Sequence, residues 1–262
     1  MGYIRLKERD CHDPTQIHQK RNPFSDSLLT SPDPRAPFRR RLTAFAFWAA
    51  WVGVAFFGVY PTMNWLTSLR ADAHPLFFAA ELDVPFVPEF VWIYLSMYAL
   101  FFAPPFFLEP AQLRRLGQEL ISSTLIAGIV FLLLPARLGF ARVLPEDPFY
   151  RDLFAGMFSL DHPHNLVPSL HVVYSAAISL AIFRRVALPG RVFLAIWLAL
   201  LMASTLLVHQ HHVIDVVTGA ALALLVAHFW EARNEKKISA AGRAGRRGSA
   251  GFRPGSGSGD PR

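Results

Sequence analysis

Residues 192–230 read VFLAIWLALLMASTLLVHQHHVIDVVTGAALALLVAHFW, two apolar runs with the polar residues His209–His212 between them. Each run is close to the ~20 residues that an α-helix needs to cross the hydrocarbon core of a bilayer. We therefore interpret Val192–Val208 and Val213–Trp230 as two consecutive transmembrane helices.

Four more apolar runs of similar length precede this pair. They are Leu42–Tyr60, Phe90–Leu108, Gly117–Pro135 and Leu166–Phe183. The third, fourth and sixth runs of the chain each contain an ionisable residue, which is Glu119, His171 and Asp215 respectively. The pattern predicts an all-α integral membrane protein with six transmembrane helices.

The composition agrees with a membrane protein and excludes several other classes. Hydrophobic residues make up 53% of the 262 residues and charged residues only 17%, which is too apolar for the surface of a soluble enzyme. The net charge of +7 comes from basic residues at the chain ends and between apolar runs, where they suit anionic lipid headgroups rather than nucleic acid. The single cysteine, Cys11, excludes an intramolecular disulfide and any multi-cysteine metal site.

The chain divides into three parts by composition. Residues 1–41 are polar and predict a flexible cytoplasmic tail, and residues 42–230 form the six-helix membrane domain. Residues 231–262 are rich in Gly, Ser, Ala and Arg, a composition that buries too little apolar surface to fold. We expect this basic segment to be disordered and attracted to lipid.

Lysine and arginine are concentrated in alternate gaps between the apolar runs. These residues are Arg35, Arg39, Arg40, Arg41, Arg114, Arg115, Arg184, Arg185, Arg191, Arg233, Lys236 and Lys237. Because positive residues mark cytoplasmic loops, both termini are expected in the cytoplasm. The loops at residues 61–89 and 136–165 are then expected on the other side of the membrane.

Polar residues lie within or beside the apolar runs in three places. These are Pro135–Arg137, Pro168–His171, and His209–His212 with Asp215. An ionisable residue in a membrane span costs about 2.5 to 3.5 kcal/mol on insertion scales and is a functional candidate by default. The predicted topology brings all three groups to the same, non-cytoplasmic end of the bundle.

The spacing of these residues indicates nucleophilic histidine chemistry. His211 and Asp215 are four residues apart, so one helical face can hold both, and the carboxylate can fix the tautomer of the imidazole. His171 could protonate a leaving alkoxide, and the Arg137 guanidinium suits phosphate oxygens. His212 is three residues from Asp215, so the spacing leaves open which histidine pairs with the carboxylate.

Two motifs give the chain a family resemblance. Pro168-Ser169-Leu170-His171, followed by Ser204-Thr205-x5-His211-x3-Asp215, resembles the second and third motifs of the type 2 phosphatidic acid phosphatase superfamily. Members of this superfamily are vanadium-haloperoxidase-like six-helix membrane enzymes. The resemblance covers roughly Leu42 to Trp230, and Leu82–Pro88 is similar to a stretch of bacterial members.

Some positions depart from the pattern of the family phosphatases. Pro135 and Val143 stand where the Lys and Pro of the first motif are expected, Leu170 replaces a Gly, and Thr205 replaces an Arg. Arg142 keeps the Arg position of the first motif. In these features the chain is more similar to the branch containing inositol phosphorylceramide synthases, which are lipid phosphotransferases.

The resemblance implies a lipid phosphate phosphatase or phosphotransferase that works through a phosphohistidine, without metal or cofactor. His211 would be the nucleophile, with His171 and Asp215 as its catalytic partners, and the substrate phosphate would meet Arg137, Arg142 and Ser169. The partners would be a lipid phosphate, the bilayer and an alcohol or polyol acceptor, and no nucleic acid. The site would face the periplasm or exterior from a bacterial inner membrane.

Other interpretations of the same residues remain open. Arg137 and Arg142 could be interfacial anchors, Ser169 could be a helix N-cap, and His209 and His212 could be loop residues or support the site from a second layer. The alternative from another class is a metal transporter, because a His-x3-Asp pair in a helix bundle also suits zinc. Few further ligands are available for such a site, since the first two runs contain no Asp, Glu or His within Leu42–Tyr60 and Phe90–Leu108.

Overall fold

A computed structural model describes residues 38–160 and 164–250 of the chain. The described residues form helices α1 (Phe38–Ser68), α2 (Val91–Leu100), α3 (Pro104–Phe107), α4 (Pro110–Leu133), α5 (Pro148–Leu160), α6 (Leu170–Phe183), α7 (Leu188–Leu207) and α8 (Val213–Ala250). Two single-turn helices, Ala79–Asp83 and Pro88–Phe90, lie between α1 and α2. Within these ranges the chain forms no strand, which confirms the all-α prediction.

Four helices have the length and apolar composition needed to cross a membrane. They are α1, α4, α7 and the portion Val213–Asn234 of α8. Helix α6 is apolar but has only 14 residues. The fold is therefore that of an all-helical protein with four candidate membrane spans, where the sequence predicts six.

The second apolar run, Phe90–Leu108, is not one continuous helix as predicted. Helix α2 ends at Leu100, and a turn leads to α3, whose first two residues are Pro104 and Pro105. A proline in the first turn of a helix loses no hydrogen bond, whereas a proline in a helix interior breaks the backbone ladder. The proline pair therefore starts a new short helix.

Helix α6 lies at the centre of the bundle, in contact with α2, α3, α4, α7 and α8. Most of its side chains are buried, and the hydroxyl of Ser169 accepts a hydrogen bond from the Val172 N–H at its N-terminus. The Ser169 N–H donates to the Asp215 carbonyl at 3.0 Å, which joins the beginning of α6 to the beginning of α8.

Gly219 permits this close approach of α6 and α8. A Cβ atom at position 219 would lie 2.7 Å from the Ser169 carbonyl oxygen and 3.1 Å from the Val172 Cβ. A backbone carbonyl cannot move aside as the end of a flexible side chain can. Glycine is therefore the residue that lets the two helix starts touch.

The predicted end of the last helix differs from the structure. Helix α8 continues to Ala250, whereas the sequence predicts that the helix ends at Trp230 and that residues from 231 onward are disordered. Several residues of 231–250 are Ala, Glu, Lys and Arg, which are good helix formers. The predicted N-terminal tail up to residue 37 and residues 251–262 lie outside the described residues.

Helix α5 lies within residues 136–165, which the sequence predicts to be a loop without a helix. The Asp147 Oδ1 accepts hydrogen bonds from the backbone N–H groups of Phe149 and Tyr150 at 2.9 and 3.1 Å. Pro148 follows as the first helical residue. An Asp cap followed by Pro is a common helix start.

Candidate active site

The three polar stretches that the sequence singles out lie together at one end of the bundle. Ala136, from the first stretch, packs in a small apolar cluster with Leu166 and Val167, which directly precede the second. Ile214, beside the third stretch, packs against the same cluster. The connection after α4 and the first residues of α6 and α8 therefore form one continuous region.

Two histidines and one aspartate meet in this region. His211 Nδ1 lies 3.2 Å from Asp215 Oδ2, and His211 Nε2 lies 3.3 Å from His171 Nδ1. His211 is 4% exposed and Asp215 is 1% exposed. Of the two pairings that the spacing leaves open, the structure thus joins Asp215 to the ring of His211.

Tyr94 extends this group from α2. Its hydroxyl lies 2.6 Å from His171 Nε2. One set of protonation states satisfies all three contacts: Tyr94 donates to His171, His171 Nδ1–H donates to His211, and His211 Nδ1–H donates to Asp215. Sequence reasoning missed Tyr94, because a tyrosine in an apolar run 77 residues before its partner carries no local signal.

Backbone contacts hold the catalytic candidates in place. The carbonyl of Thr205, in the last turn of α7, accepts hydrogen bonds from the N–H groups of Gln210 and His211 at 3.0 and 3.1 Å. Asp215 Oδ2 also accepts the His212 N–H at 2.8 Å. Asp215 lies in the first turn of α8, where the helix dipole stabilises a negative charge.

His212 turns away from this group and pairs with Glu81. Its Nδ1 lies 3.2 Å from Glu81 Oε2, which also accepts the Val213 N–H at 2.8 Å. The Gly139 N–H donates to His212 Nε2 at 2.9 Å, so that nitrogen has no proton and Nδ1–H donates to Glu81. Glu81 is a second residue that sequence reasoning missed, because it reaches the site from a single-turn helix in a long loop.

Burial and hydrogen bonding shift the pKa values of this pair. Burial acts to raise the pKa of Glu81, but the hydrogen bonds from Phe78, Val213 and His212 together bring it below its ordinary value. Burial lowers the pKa of His212, and this effect exceeds the opposite influence of Asp215 and Glu81. Each group is therefore held in its state at neutral pH, with Glu81 ionised and His212 uncharged.

We expect the folded state to lose stability as the pH falls below about 6.5, the ordinary pKa of histidine. The unfolded chain binds a proton at His212 more readily than the folded chain, so acid favours unfolding, and Glu81 adds to this loss at lower pH. His212→Asn should reduce the pH dependence of the unfolding free energy between pH 7 and 5 by up to about 1.4 kcal/mol per pH unit, the value for one proton.

This expectation can be checked by unfolding the purified protein in detergent at several pH values. His228→Asn is the matched control, because His228 is exposed on α8 and should leave the pH profile unchanged. Equal pH dependence in the wild type and the His212 variant would contradict the assignment.

His209 has a structural position beside the same loop. Its backbone φ is +54°, and its Nε2 lies 2.9 Å from the Val84 carbonyl oxygen, to which it donates. The Phe140 ring stacks between the rings of His209 and His212, with centroid distances of 4.0 and 4.4 Å. His209 and His212 thus fix the 81–84 and 139–140 segments around the central histidines.

The three predicted phosphate ligands occupy different environments. Ser169 is fully buried as the N-cap of α6. Arg142 donates from Nη1 to the Phe158 carbonyl at 3.0 Å and packs over the Phe158 ring on α5. Arg137 is exposed, and its backbone N–H bonds to the His74 carbonyl at 3.0 Å. The three residues therefore lie on separate segments, and each makes a local contact with a residue other than the central histidines.

Neither a metal site among the described residues nor a matching known protein adds to what the geometry of the site shows. Within residues 38–160 and 164–250, no group of three or more His, Cys, Asp or Glu side chains is arranged to hold a metal ion. Comparison with protein-family models, with curated proteins and with solved structures finds no match to this chain.

Proposed function

We propose that the protein is a membrane enzyme that cleaves or transfers the phosphate of a lipid through a phosphohistidine on His211. The observation that carries this proposal is the arrangement of His211, with one ring nitrogen on Asp215 and the other 3.3 Å from the imidazole of His171. It is the arrangement of a nucleophile oriented by a carboxylate, with a proton donor beside it. The motifs that resemble the type 2 phosphatidic acid phosphatase superfamily support the same chemistry.

The proposed reaction has two steps that balance in atoms and protons. His211 Nε2 attacks the phosphorus of a monoprotonated lipid phosphate, the phosphorus–oxygen bond to the lipid breaks, and His171 passes the phosphate's proton to the departing alcohol. In the second step a hydroxyl acceptor attacks the phosphohistidine, and His171 takes its proton and returns it to the phosphate product. Asp215 stabilises the positive charge on the phosphorylated His211 ring.

The positive field for the phosphate has two candidate sources at this end of the bundle. The beginning of α6 presents the positive end of a helix dipole beside His171, and the exposed guanidinium of Arg137 can turn toward an incoming phosphate. Arg142 would need to leave Phe158 to do the same.

The proposed topology has six passes, with α2–α3 and α6 as the two shorter ones. Both termini would be cytoplasmic, and the histidine pair would face the periplasm of a bacterial inner membrane. This orientation rests on the basic gaps between the apolar runs. Arg41 pairs with Glu109 and Arg184 pairs with Glu231, so these basic residues also link separate segments of the chain.

An alcohol in place of water as the acceptor gives the alternative, a headgroup phosphotransferase similar to inositol phosphorylceramide synthases. Thr205 favours this alternative, because it stands where family phosphatases have Arg and its hydroxyl donates to the Met202 carbonyl in its own helix. That position contributes no charge to the phosphate, in contrast to the phosphatase pattern.

The test is to incubate the purified protein in detergent with a panel of radiolabelled lipid phosphates, with and without inositol. We expect turnover that a strong chelator leaves unchanged, because the proposed scheme uses only side chains and a helix dipole. Free phosphate as the product would identify a phosphatase, and a labelled phosphate ester of inositol would identify a transferase. Loss of activity with the chelator and recovery on adding metal would overturn the scheme.

A further inference from the structure

A large apolar cavity adjoins the histidine pair. It has a volume of about 790 Å³ and lies between α1, α2, α4 and α6. His171, Tyr94 and Gln210 contribute to its wall, while the rest of the wall is mostly Phe, Leu, Trp, Tyr and Val. Among the described residues, no Asp, Glu, Lys or Arg lines it. A volume of this size is typical of a ligand site, and this wall suits a hydrocarbon.

The cavity is elongated along α1. Its wall includes residues of α1 from Phe45 to Tyr60, a distance of roughly 22 Å at 1.5 Å per helical residue. Tyr60 marks the end near the active site, because its carbonyl accepts a hydrogen bond from Asn165, which shortly precedes α6. The cavity is therefore longer than one leaflet of the membrane, about half of the ~30 Å hydrocarbon core.

One side of the cavity is open toward the surroundings of the bundle. Three residues that line the cavity are also exposed. Phe57 on α1 is 73% exposed, Tyr98 on α2 is 50% exposed, and Phe102, just after α2, is 67% exposed. Helix α1 packs mainly on α4, whereas α2 packs mainly on α7. In a membrane, this opening between α1 and α2 would face the acyl chains of the bilayer.

We propose that this cavity holds one hydrocarbon chain of the lipid whose phosphate reaches His211, and that the chain enters sideways between α1 and α2. The identification of that lipid as the substrate rests on the proposed function. The polar end of the cavity, at His171 and Gln210, receives the headgroup side of the lipid, and the apolar length receives the chain. The cavity thereby selects lipid phosphates with a long chain over soluble phosphomonoesters.

Two glycines of α1 offer a matched pair of substitutions. Gly53 lines the cavity and Gly58 lies outside its lining, yet a Cβ atom at either position meets nothing within 4 Å. Gly53→Phe therefore adds a ring at a position that lines the cavity, and Gly58→Phe adds the same ring to the exposed side of the same helix. Both changes favour the helix, since glycine is a poor helix former.

The first measurement compares turnover of dipalmitoyl phosphatidate, dihexanoyl phosphatidate and para-nitrophenyl phosphate. Gly53→Phe should lower turnover of the long-chain lipid by about tenfold or more, the size of effect that pocket shape has on apolar ligands. Its activity on the chainless ester should stay unchanged, and Gly58→Phe should match the wild type on all three. Equal effects of Gly53→Phe on all three compounds, or no effect on any, would overturn the proposal.

The second measurement does not depend on turnover. A phosphatidate with a photoreactive diazirine in its acyl chain should label the cavity wall in the wild type and in Gly58→Phe, and label it several-fold less in Gly53→Phe. Labelling confined to the outer surface of the helices would overturn the proposal. Wall labelling in a protein that is inactive on every phosphate would leave the cavity assignment standing and defeat the proposed function.

Discussion

Replacement of His211 by alanine is expected to abolish lipid phosphate turnover, by about 10⁶-fold, the loss seen when the nucleophile of a catalytic triad is deleted. The reason is that His211 Nε2 is the atom proposed to bond to phosphorus. Asp215 then has no ring to orient, and His171 has no acceptor beside it. The variant should also yield no acid-labile phosphoprotein after brief exposure to radiolabelled phosphatidate, whereas the wild type should.

His228→Ala is the control for this experiment. His228 is exposed on α8, 13 residues beyond Asp215, so the His228→Ala variant should retain full activity and labelling. Thermal unfolding of both variants separates a lost nucleophile from a lost fold. A folded His211 variant that still forms the phosphoprotein would disprove the assignment, and a dead His212→Ala variant beside an active His211→Ala variant would move the nucleophile by one residue.

Asp215→Asn is expected to slow turnover by about 10⁴-fold and leave the protein folded, as neutralising the carboxylate of a catalytic triad does. The amide oxygen can still accept the His212 N–H that Asp215 Oδ2 accepts at 2.8 Å, so the backbone at the start of α8 keeps a partner. The negative charge that is proposed to stabilise the phosphorylated His211 ring is lost. Rate measurements on folded protein therefore isolate the electrostatic part of the mechanism.

The exposed Asp152→Asn variant of α5 provides the matched control, with unchanged turnover. A fully active Asp215→Asn variant would show that the carboxylate only positions the helix. If Asp215→Asn fails to fold, Asp215→Glu replaces it in the test. This variant keeps the negative charge and should recover part of the rate.

The sequence predicted the helical class and most long helices, because about 20 consecutive apolar residues leave few alternatives. It did not predict the break in the second run, because a hydropathy pattern averages over Pro104 and Pro105 and ignores where a backbone N–H is missing. The Asp147–Pro148 pair could have been recognised as a helix start. The stretch that follows it, however, is too mixed in polarity to be recognised as a membrane span. Hydropathy thus identifies membrane spans better than it identifies interfacial helices or breaks.

For the candidate site, the sequence indicated the residues that lie within the recognised motifs. It did not indicate the residues that contact the site from other segments of the chain. The His211–Asp215 spacing lies within about one helical turn, so its pairing could be anticipated. Tyr94 and Glu81 approach His171 and His212 only because α2 and the 79–83 turn fold back over the beginnings of α6 and α8. Tertiary contacts of this kind leave no periodic trace in one sequence.

The contact at Gly219 means that the geometry of the candidate site depends on the backbones of α6 and α8 as well as on their side chains. The Ser169 carbonyl lies against position 219, and Ser169 and Gly219 are close in sequence to His171 and Asp215 respectively. The approach of α6 and α8 at this contact is therefore expected to influence the 3.3 Å distance between the two imidazoles. An error of about 1 Å in such a gap is worth roughly 10²-fold in rate. Gly219, which has no functional group, thus sets the spacing of the two helix starts, because even one added methyl group would not fit between them.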